Sequence, residues 1–205
     1  MKKILLGLLT IWFLVLGCQD SKTKEKDKTK IAIENAQNSE QIEKEIFLGF
    51  KFGMTESEVS DHFKILLGKG KVYTIGGQYQ YDLTTDTGAN LRLNFITKFH
   101  EGKLYELICE MRERDLSVMS GDMVFMAASS SFHNSERSKN FKTYHIKDDF
   151  GDFIEILHIK DNLIVSFYGS VTGKMKYSNA PIAKKIMDIE TEHRNKKVKE
   201  SSSDF

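Results

Sequence analysis

The chain has 205 residues, 40% hydrophobic and 29% charged, which is enough to bury one ordinary core or two small ones. Its 14 Phe and 7 Tyr argue against a disordered protein, and its single Pro excludes a Pro-rich architecture. A formal charge of +1 gives no concentrated basic surface, so we expect no nucleic-acid partner. Two cysteines are too few for a disulfide framework.

The N-terminal residues have the layout of an export signal. Lys2 and Lys3 form a short positive region, and a mainly apolar run follows from Ile4 to Leu16. This run is shorter than the roughly 20 apolar residues that a membrane-spanning helix needs. We therefore predict that residues 1–17 are a signal peptide that is removed after export.

The residues around Cys18 predict a lipid anchor. Cys18 follows Gly17, with Leu14, Val15 and Leu16 upstream, and this segment resembles the lipobox of bacterial lipoproteins. Val15 and Leu16 stand where that family usually has Leu followed by Ala or Ser. The resemblance implies that the Cys18 thiol is lipidated and that Cys18 becomes the mature N-terminus, held in a membrane by two or three acyl chains such as palmitate. The alternative is an ordinary secreted protein.

Polar segments flank a predicted single domain over residues 45–190. Residues 18–44 alternate Lys with acidic residues, and their three isoleucines are too widely spaced for a packed helix face, which predicts a disordered linker. Residues 191–205 are also polar and are predicted to be a disordered tail.

The domain is predicted to open with a strand over 46–52 and then a helix. Thr55 and Glu58 have capping-box spacing, and Gly68 and Gly70 provide a helix end. The buried stripe of this helix is predicted to consist of Val59, Phe63, Leu66 and Leu67.

The remaining elements predict an antiparallel sheet with packed helices. Strands are predicted over 72–83, 90–99, 104–112, 142–146, 153–159 and 163–168, with helices over 121–135 and from Pro181 onward. A helix followed by three strands thus occurs twice, which is compatible with a tandem repeat, although the halves share no sequence identity. The predicted fold class is α+β.

Motifs that carry catalysis or bind metals are missing from the sequence. Gly68–Lys71 is interpreted as a helix end, since it follows a helix and lacks the Ser or Thr of a phosphate loop. The six histidines lack metal-ligand spacing, and Cys109 is predicted to be a buried structural thiol. Asp148–Asp152 is interpreted as a turn, and Ser129–Ser131 as the exposed side of a helix. We therefore predict a non-enzyme with no catalytic residue, cofactor or metal.

A second resemblance lies at the start of the domain. Gly53–Val59 followed by Leu66-Leu67-Gly68 resembles the repeat start of outer-membrane-assembly lipoproteins of the SmpA/OmlA type and of β-lactamase-inhibitor-like domains. Lys69 stands where that family has Pro. Over residues 53–68, the resemblance implies a helix-plus-sheet module that binds proteins through its sheet or loops.

Together these features predict a non-catalytic protein that is lipid-anchored in the bacterial cell envelope, expected at the outer membrane, and binds an envelope protein partner in assembly or as an inhibitor. The alternative is a carrier of a small apolar ligand or lipid. The aromatic residues predicted on one sheet face could anchor a protein interface, line a ligand pocket or belong to the hydrophobic core. They are Tyr73, Tyr79, Tyr81, Phe95, Phe99, Tyr105, Phe153, Phe167 and Tyr168.

Overall fold

A computed structural model describes residues 26–114, 119–148 and 150–202 of the chain, with side chains up to residue 198. The predicted signal peptide and Cys18 lie outside these residues. Within them, four α-helices and an eight-stranded antiparallel sheet confirm the α+β class. The helices are α1 (26–37), α2 (Glu56–Gly68), α3 (Gly121–His133) and α4 (Ala180–Ser202). The strands are β1 (Tyr73–Ile75), β2 (Gln78–Thr84), β3 (Asn90–His100), β4 (Lys103–Glu113), β5 (Lys142–Lys147), β6 (Phe153–Lys160), β7 (Leu163–Tyr168) and β8 (Gly173–Asn179).

Local sequence signals place α2 as expected. The Glu58 N–H donates to Thr55 Oγ1 at 3.2 Å, and the Thr55 N–H donates to Glu58 Oε2 at 2.7 Å, which completes the predicted capping box. The predicted strand over 46–52 is wrong, because this segment contains a short 3-10 helix, Phe47–Gly49. Leu67, predicted in the buried stripe, is 42% exposed.

The sheet consists of two four-stranded halves in the order β1-β2-β3-β4-β8-β7-β6-β5. Each half follows a helix, α2 or α3, and the halves meet where β4 pairs with β8. The sequence predicted three strands per half. The predicted strand over 72–83 is split into β1 and β2 by the glycine turn Gly76–Gly77, where φ is positive at both residues. β8 was not predicted.

Both α2 and α3 pack on the same side of the sheet, which we call the inner face. The core beneath them is continuous across the two halves, since buried side chains of β3, β4, β8 and β7 belong to one cluster. Representative members are Phe63 from α2, Phe125 from α3 and Leu93, Leu107, Val165 and Phe167 from the strands. The halves therefore share one core.

α1 corrects the expectation of a disordered linker over residues 18–44. It packs on the opposite side of the sheet, the outer face, where Ala36 is 2% exposed against Leu157 and Ile159 of β6. Ala32 and Ile33 pack around this contact. Small alanines, which add little to a hydrophobic stripe in the sequence, allow the helix to approach the sheet closely.

The predicted disordered tail over residues 191–205 is also corrected, because α4 continues to Ser202. The segment contains no Gly or Pro and is rich in Lys, Glu and Arg, which have high helix propensity. The predicted start of this helix is confirmed: Pro181 lies in the first turn, and the Asn179 Oδ1 accepts the Ile182 N–H at 3.4 Å.

Candidate functional site

The outer face of the sheet has one area that a helix covers and one area that no helix described so far covers. α1 covers apolar side chains on β5, β6 and β7, whereas the side formed by β2, β3, β4 and β8 carries charged residues and the 41% exposed Ile96. We call this second area the open face. Its residues in the strand register are Gln80, Asp82, Arg92, Asn94, Ile96, Lys98, Glu106, Ile108, Glu110, Arg112, Lys174, Lys176 and Ser178. Gln80, Glu106, Ile108 and Ser178 are buried, and the other side chains are partly or largely exposed.

Ion pairs cross the open face from strand to strand. Lys98 Nζ lies 2.8 Å from Glu106 Oε1, and Lys174 Nζ lies 3.3 Å from Glu110 Oε1. The Glu106 side chain is only 8% exposed and also accepts a hydrogen bond from the Ser178 hydroxyl at 3.1 Å. The hydrogen bond to Glu106 raises the pKa of Lys98. The Glu106 carboxyl group is therefore held in place by two partners on neighbouring strands.

Positive charges exceed negative ones on the open face. Five of its residues are basic and three are acidic. Lys176 lies over the Tyr168 ring at 5.5 Å, and exposed Arg112 forms no ion pair with any residue the structure describes. Burial raises the pKa of Glu155, and the positive charge of nearby Lys176 opposes this rise, so Lys176 has a carboxylate in its surroundings. Arg112 is left without an ion pair among the described residues.

The aromatic residues predicted to share one sheet face are divided between two. Phe63 of α2 stacks on Tyr79 at 4.3 Å between ring centroids and contacts Phe95, which places these rings in the inner core. Tyr73 and Tyr168 instead lie on the outer side, beside Arg92 and Lys176 respectively. The aromatic set as a whole is therefore not one interface.

A buried hydroxyl–imidazole cluster lies beneath α3. Ser129 Oγ is 3.1 Å from His158 Nε2, and Thr143 Oγ1 is 3.1 Å from His158 Nδ1. His158 is 1% exposed, and burial, with His133 and His145 nearby, lowers its pKa to about 4. In the neutral ring one nitrogen donates and the other accepts, so both hydroxyls are satisfied.

This cluster corrects the interpretation of Ser129 as an exposed helix residue, because Ser129 is 3% exposed. It resembles a nucleophile–base pair, but Thr143 replaces the carboxylate that would stabilise an imidazolium, and both groups are shielded from solvent. The arrangement suits a polar contact that fixes α3 on β6. Sequence reasoning missed it because the two residues are 29 positions apart.

The other sequence-predicted positions have structural roles. Cys109 is fully buried, as predicted, and burial raises the pKa of its thiol. Gly70, with φ of +64°, donates its N–H to Leu67 at the end of α2, which confirms the helix-end interpretation. Asp148 Oδ1 accepts the N–H groups of Phe150 and Asp152 at 2.9 Å, which confirms a turn. In the described ranges no group of three metal-ligating side chains is close enough to hold an ion.

A groove of about 550 Å³ lies between α1 and edge strand β5. Its walls include Ile33 and Gln37 from α1 and His145 and Ile146 from β5. This is the feature most relevant to the carrier alternative, because its exposed lining is mainly apolar.

Comparisons with known proteins give no indication of function, so the functional argument depends on the surfaces described above. The chain matches no family model, no curated protein and no solved structure. None of the helices in the described part of the chain is both long and apolar enough to cross a membrane.

Proposed function

We propose that this chain is a non-catalytic protein of the bacterial cell envelope, anchored by lipid on Cys18, that binds a protein partner through the open face. The observation that carries the proposal is the asymmetry of the outer face. An apolar half is covered by α1, while the neighbouring half presents Ile96 among partly neutralised charges. A hydrophobic centre with a charged surround is typical of transient protein interfaces.

The charges of the open face indicate the kind of partner. Arg112 forms no ion pair with a described residue, and basic residues outnumber acidic ones on the open face, so a partner surface with acidic residues would complement it. Rigid strands present these groups in fixed positions, which limits the conformational entropy lost on binding. A role in envelope assembly and a role as an inhibitor both fit such a surface.

Site-specific crosslinking in native membranes tests the proposal. A photo-crosslinking amino acid replaces Ile96, and the control carries it at Ile65, which is 52% exposed on α2. We expect a discrete protein adduct from position 96 and none from position 65. Arg112→Glu and Lys176→Glu should each reduce the adduct several-fold. Equal adducts from both positions would contradict binding through the open face.

Lipidation is tested separately by the intact mass of the same membrane-extracted protein. We expect an acyl mass increment on the wild type and none on Cys18→Ser. A wild-type chain without this increment would contradict the lipid anchor and favour the alternative of an ordinary secreted protein.

The groove between α1 and β5 favours the carrier as a second candidate. A chain that carries a small apolar molecule there should release it in stoichiometric amount on organic extraction, detected by mass spectrometry. Glu34→Trp, at a wall of the groove, should lower the amount, whereas Lys28→Trp on the exposed side of α1 should not. Extraction of no such molecule would exclude this candidate.

A further inference from the structure

One end of the molecule carries exposed apolar side chains on three separate segments. Phe150 in the β5–β6 loop is 93% exposed, and Val171 in the β7–β8 loop is 91% exposed. Ile154 at the start of β6 and Met123 in the first turn of α3 are 50% and 54% exposed. We call these four residues the apolar end. Isolated exposed apolar residues are common, but a group on neighbouring segments marks an interaction site.

The segments are neighbours because of the strand register. Glu155 of β6 pairs with Tyr168 of β7, so the loops that precede β6 and follow β7 lie at the same end of the sheet. The Gly121 N–H donates to the Ser170 carbonyl at 3.0 Å, which holds the start of α3 against the β7–β8 loop. A Cβ atom at Gly121 would lie 2.7 Å from Ser170 backbone atoms, so this close approach requires glycine.

α1 begins at this same end. Lys26 and Thr29 line the groove together with Asp148, which precedes Phe150. The opposite end of α1 lines a second depression together with Lys142 and Asp161, at the far end of β5 and β6. α1 therefore runs antiparallel to β5, and the chain enters the described structure beside the apolar end.

The distance from Cys18 to this point is limited by covalent geometry. Eight residue steps separate Cys18 from Lys26, and a fully extended chain spans at most about 3.6 Å per step, or roughly 29 Å. With a disordered linker up to residue 44, the domain would have been free to turn away from a lipid anchor. Because α1 packs on the sheet instead, an anchor at Cys18 holds the apolar end close to the membrane.

We propose that the apolar end docks on the bilayer that holds the Cys18 lipid, with Phe150 and Val171 entering the boundary between headgroups and acyl chains. This inference rests on the lipidation in the proposed function. A protein partner at this end is the competing occupant, but the position of the tether favours the lipid surface. Aromatic and aliphatic side chains on loop tips suit this boundary, where apolar groups leave water while the backbone stays hydrated.

The charges of the β5–β6 loop do not favour docking on an anionic membrane. Asp148 and Asp152 flank Phe150, and their carboxylates oppose attraction to anionic headgroups. Docking therefore depends on the high local concentration that the lipid tether provides. The unlipidated chain should remain in solution.

Tryptophan fluorescence on the full-length lipoprotein tests the docking. The sequence contains a single Trp, Trp12, which lies in the predicted signal peptide, so a Trp introduced elsewhere is the only one in the mature protein. Phe150→Trp and Val171→Trp report on the apolar end. The matched control is Ile42→Trp, because Ile42 is 65% exposed and its neighbour Glu43 donates a backbone hydrogen bond to Asn162, at the opposite end of the sheet.

The proteins are reconstituted in vesicles of phosphatidylethanolamine and phosphatidylglycerol that contain brominated phosphatidylcholine, a quencher at acyl-chain depth. We expect the brominated lipid to reduce the emission of Trp at positions 150 and 171 to roughly half of its value in unbrominated vesicles, while the emission of Trp at position 42 stays unchanged. The emission maximum of Trp at positions 150 and 171 should also lie at shorter wavelength than that of Trp at position 42, because the indole leaves water. Intact mass on the same samples reports acylation. Equal quenching by the brominated lipid at all three positions in acylated protein would overturn the docking but not the lipid anchor. The apolar end would then be assigned to a protein partner. Absence of the acyl mass would overturn the proposed anchor and, with it, the reason for placing this end at the bilayer.

Discussion

The two halves of the sheet have the same order of elements, but a helix packs on the outer face of only one of them. α2 and α3 cover the inner face of both halves, whereas α1 covers the outer side chains of β5, β6 and β7 and leaves those of β8 to the open face. The residues follow this difference: Leu157 and Ile159 point outward under α1, while Lys98 and Glu106 point outward on the open face. The inner face holds most of the core, and the exposed part of the open face is the surface on which the proposed function depends.

The largest expected effect concerns the core that the halves share. Phe125→Ala in α3 and Phe63→Ala in α2 should each lower the free energy of unfolding by about 3–5 kcal/mol, because each leaves a cavity beneath a helix. Urea unfolding followed by circular dichroism measures this on the chain with Cys18→Ser and without its signal peptide. One cooperative transition is expected for both variants. Two separate transitions would show that the halves fold independently.

The next effect is an acid sensitivity that originates at His158 in the β5–β8 half. Because folding lowers the pKa of His158 from 6.5 to about 4, the unfolded chain binds this proton more tightly. The contribution is fully present above pH 6.5 and is lost as the pH falls through about 4, which amounts to about 3 kcal/mol. Unfolding measured across this pH range should show this loss in the wild type. In His158→Gln this part of the pH dependence should disappear, and an unchanged slope would contradict the assignment.

A smaller effect is expected where α1 covers the outer face. Ala36→Asp places a carboxylate against Leu157 and Ile159, so α1 should detach rather than bury the charge, at a cost of about 2 kcal/mol. Limited proteolysis should then cleave within residues 26–44 while the sheet remains intact. Lys28→Asp, on the exposed side of the same helix, serves as the control. Equal protection of α1 in both variants would argue against its packing on the sheet.

The smallest effect on stability is expected on the open face. Lys174→Ala removes a partly exposed ion pair with Glu110, which should change the free energy of unfolding by less than about 1 kcal/mol. The same variant should weaken the crosslink from position 96, because Lys174 belongs to the proposed partner surface. A stability loss as large as that of Ala36→Asp would mean that the open face is structural.

Local sequence signals predicted the elements whose ends are set by neighbouring residues. The capping box of Thr55 and Glu58 fixed the start of α2. Glu101 and Gly102, both with positive φ, form the turn between β3 and β4, in the gap left between the predicted strands 90–99 and 104–112. β8 shows the alternation expected of a strand, since Gly173, Met175 and Tyr177 are buried and the lysines between them are not. The strand was not predicted because these lysines make the segment look polar as a whole. Ala36 gave little signal, because an alanine contributes to packing through its small size.

The sequence by itself determined the α+β class, the caps and turns, and the residues on which the lipid-anchor prediction depends, because each is encoded over a few neighbouring positions. Only the tertiary structure decided that β4 pairs with β8, that Ser129 meets His158 and that α1 seals one half of the outer face. These contacts join residues far apart in the chain, and their stability comes from burial and hydrogen bonds that form only when both partners are in place. The open face and the apolar end are what this long-range packing leaves exposed.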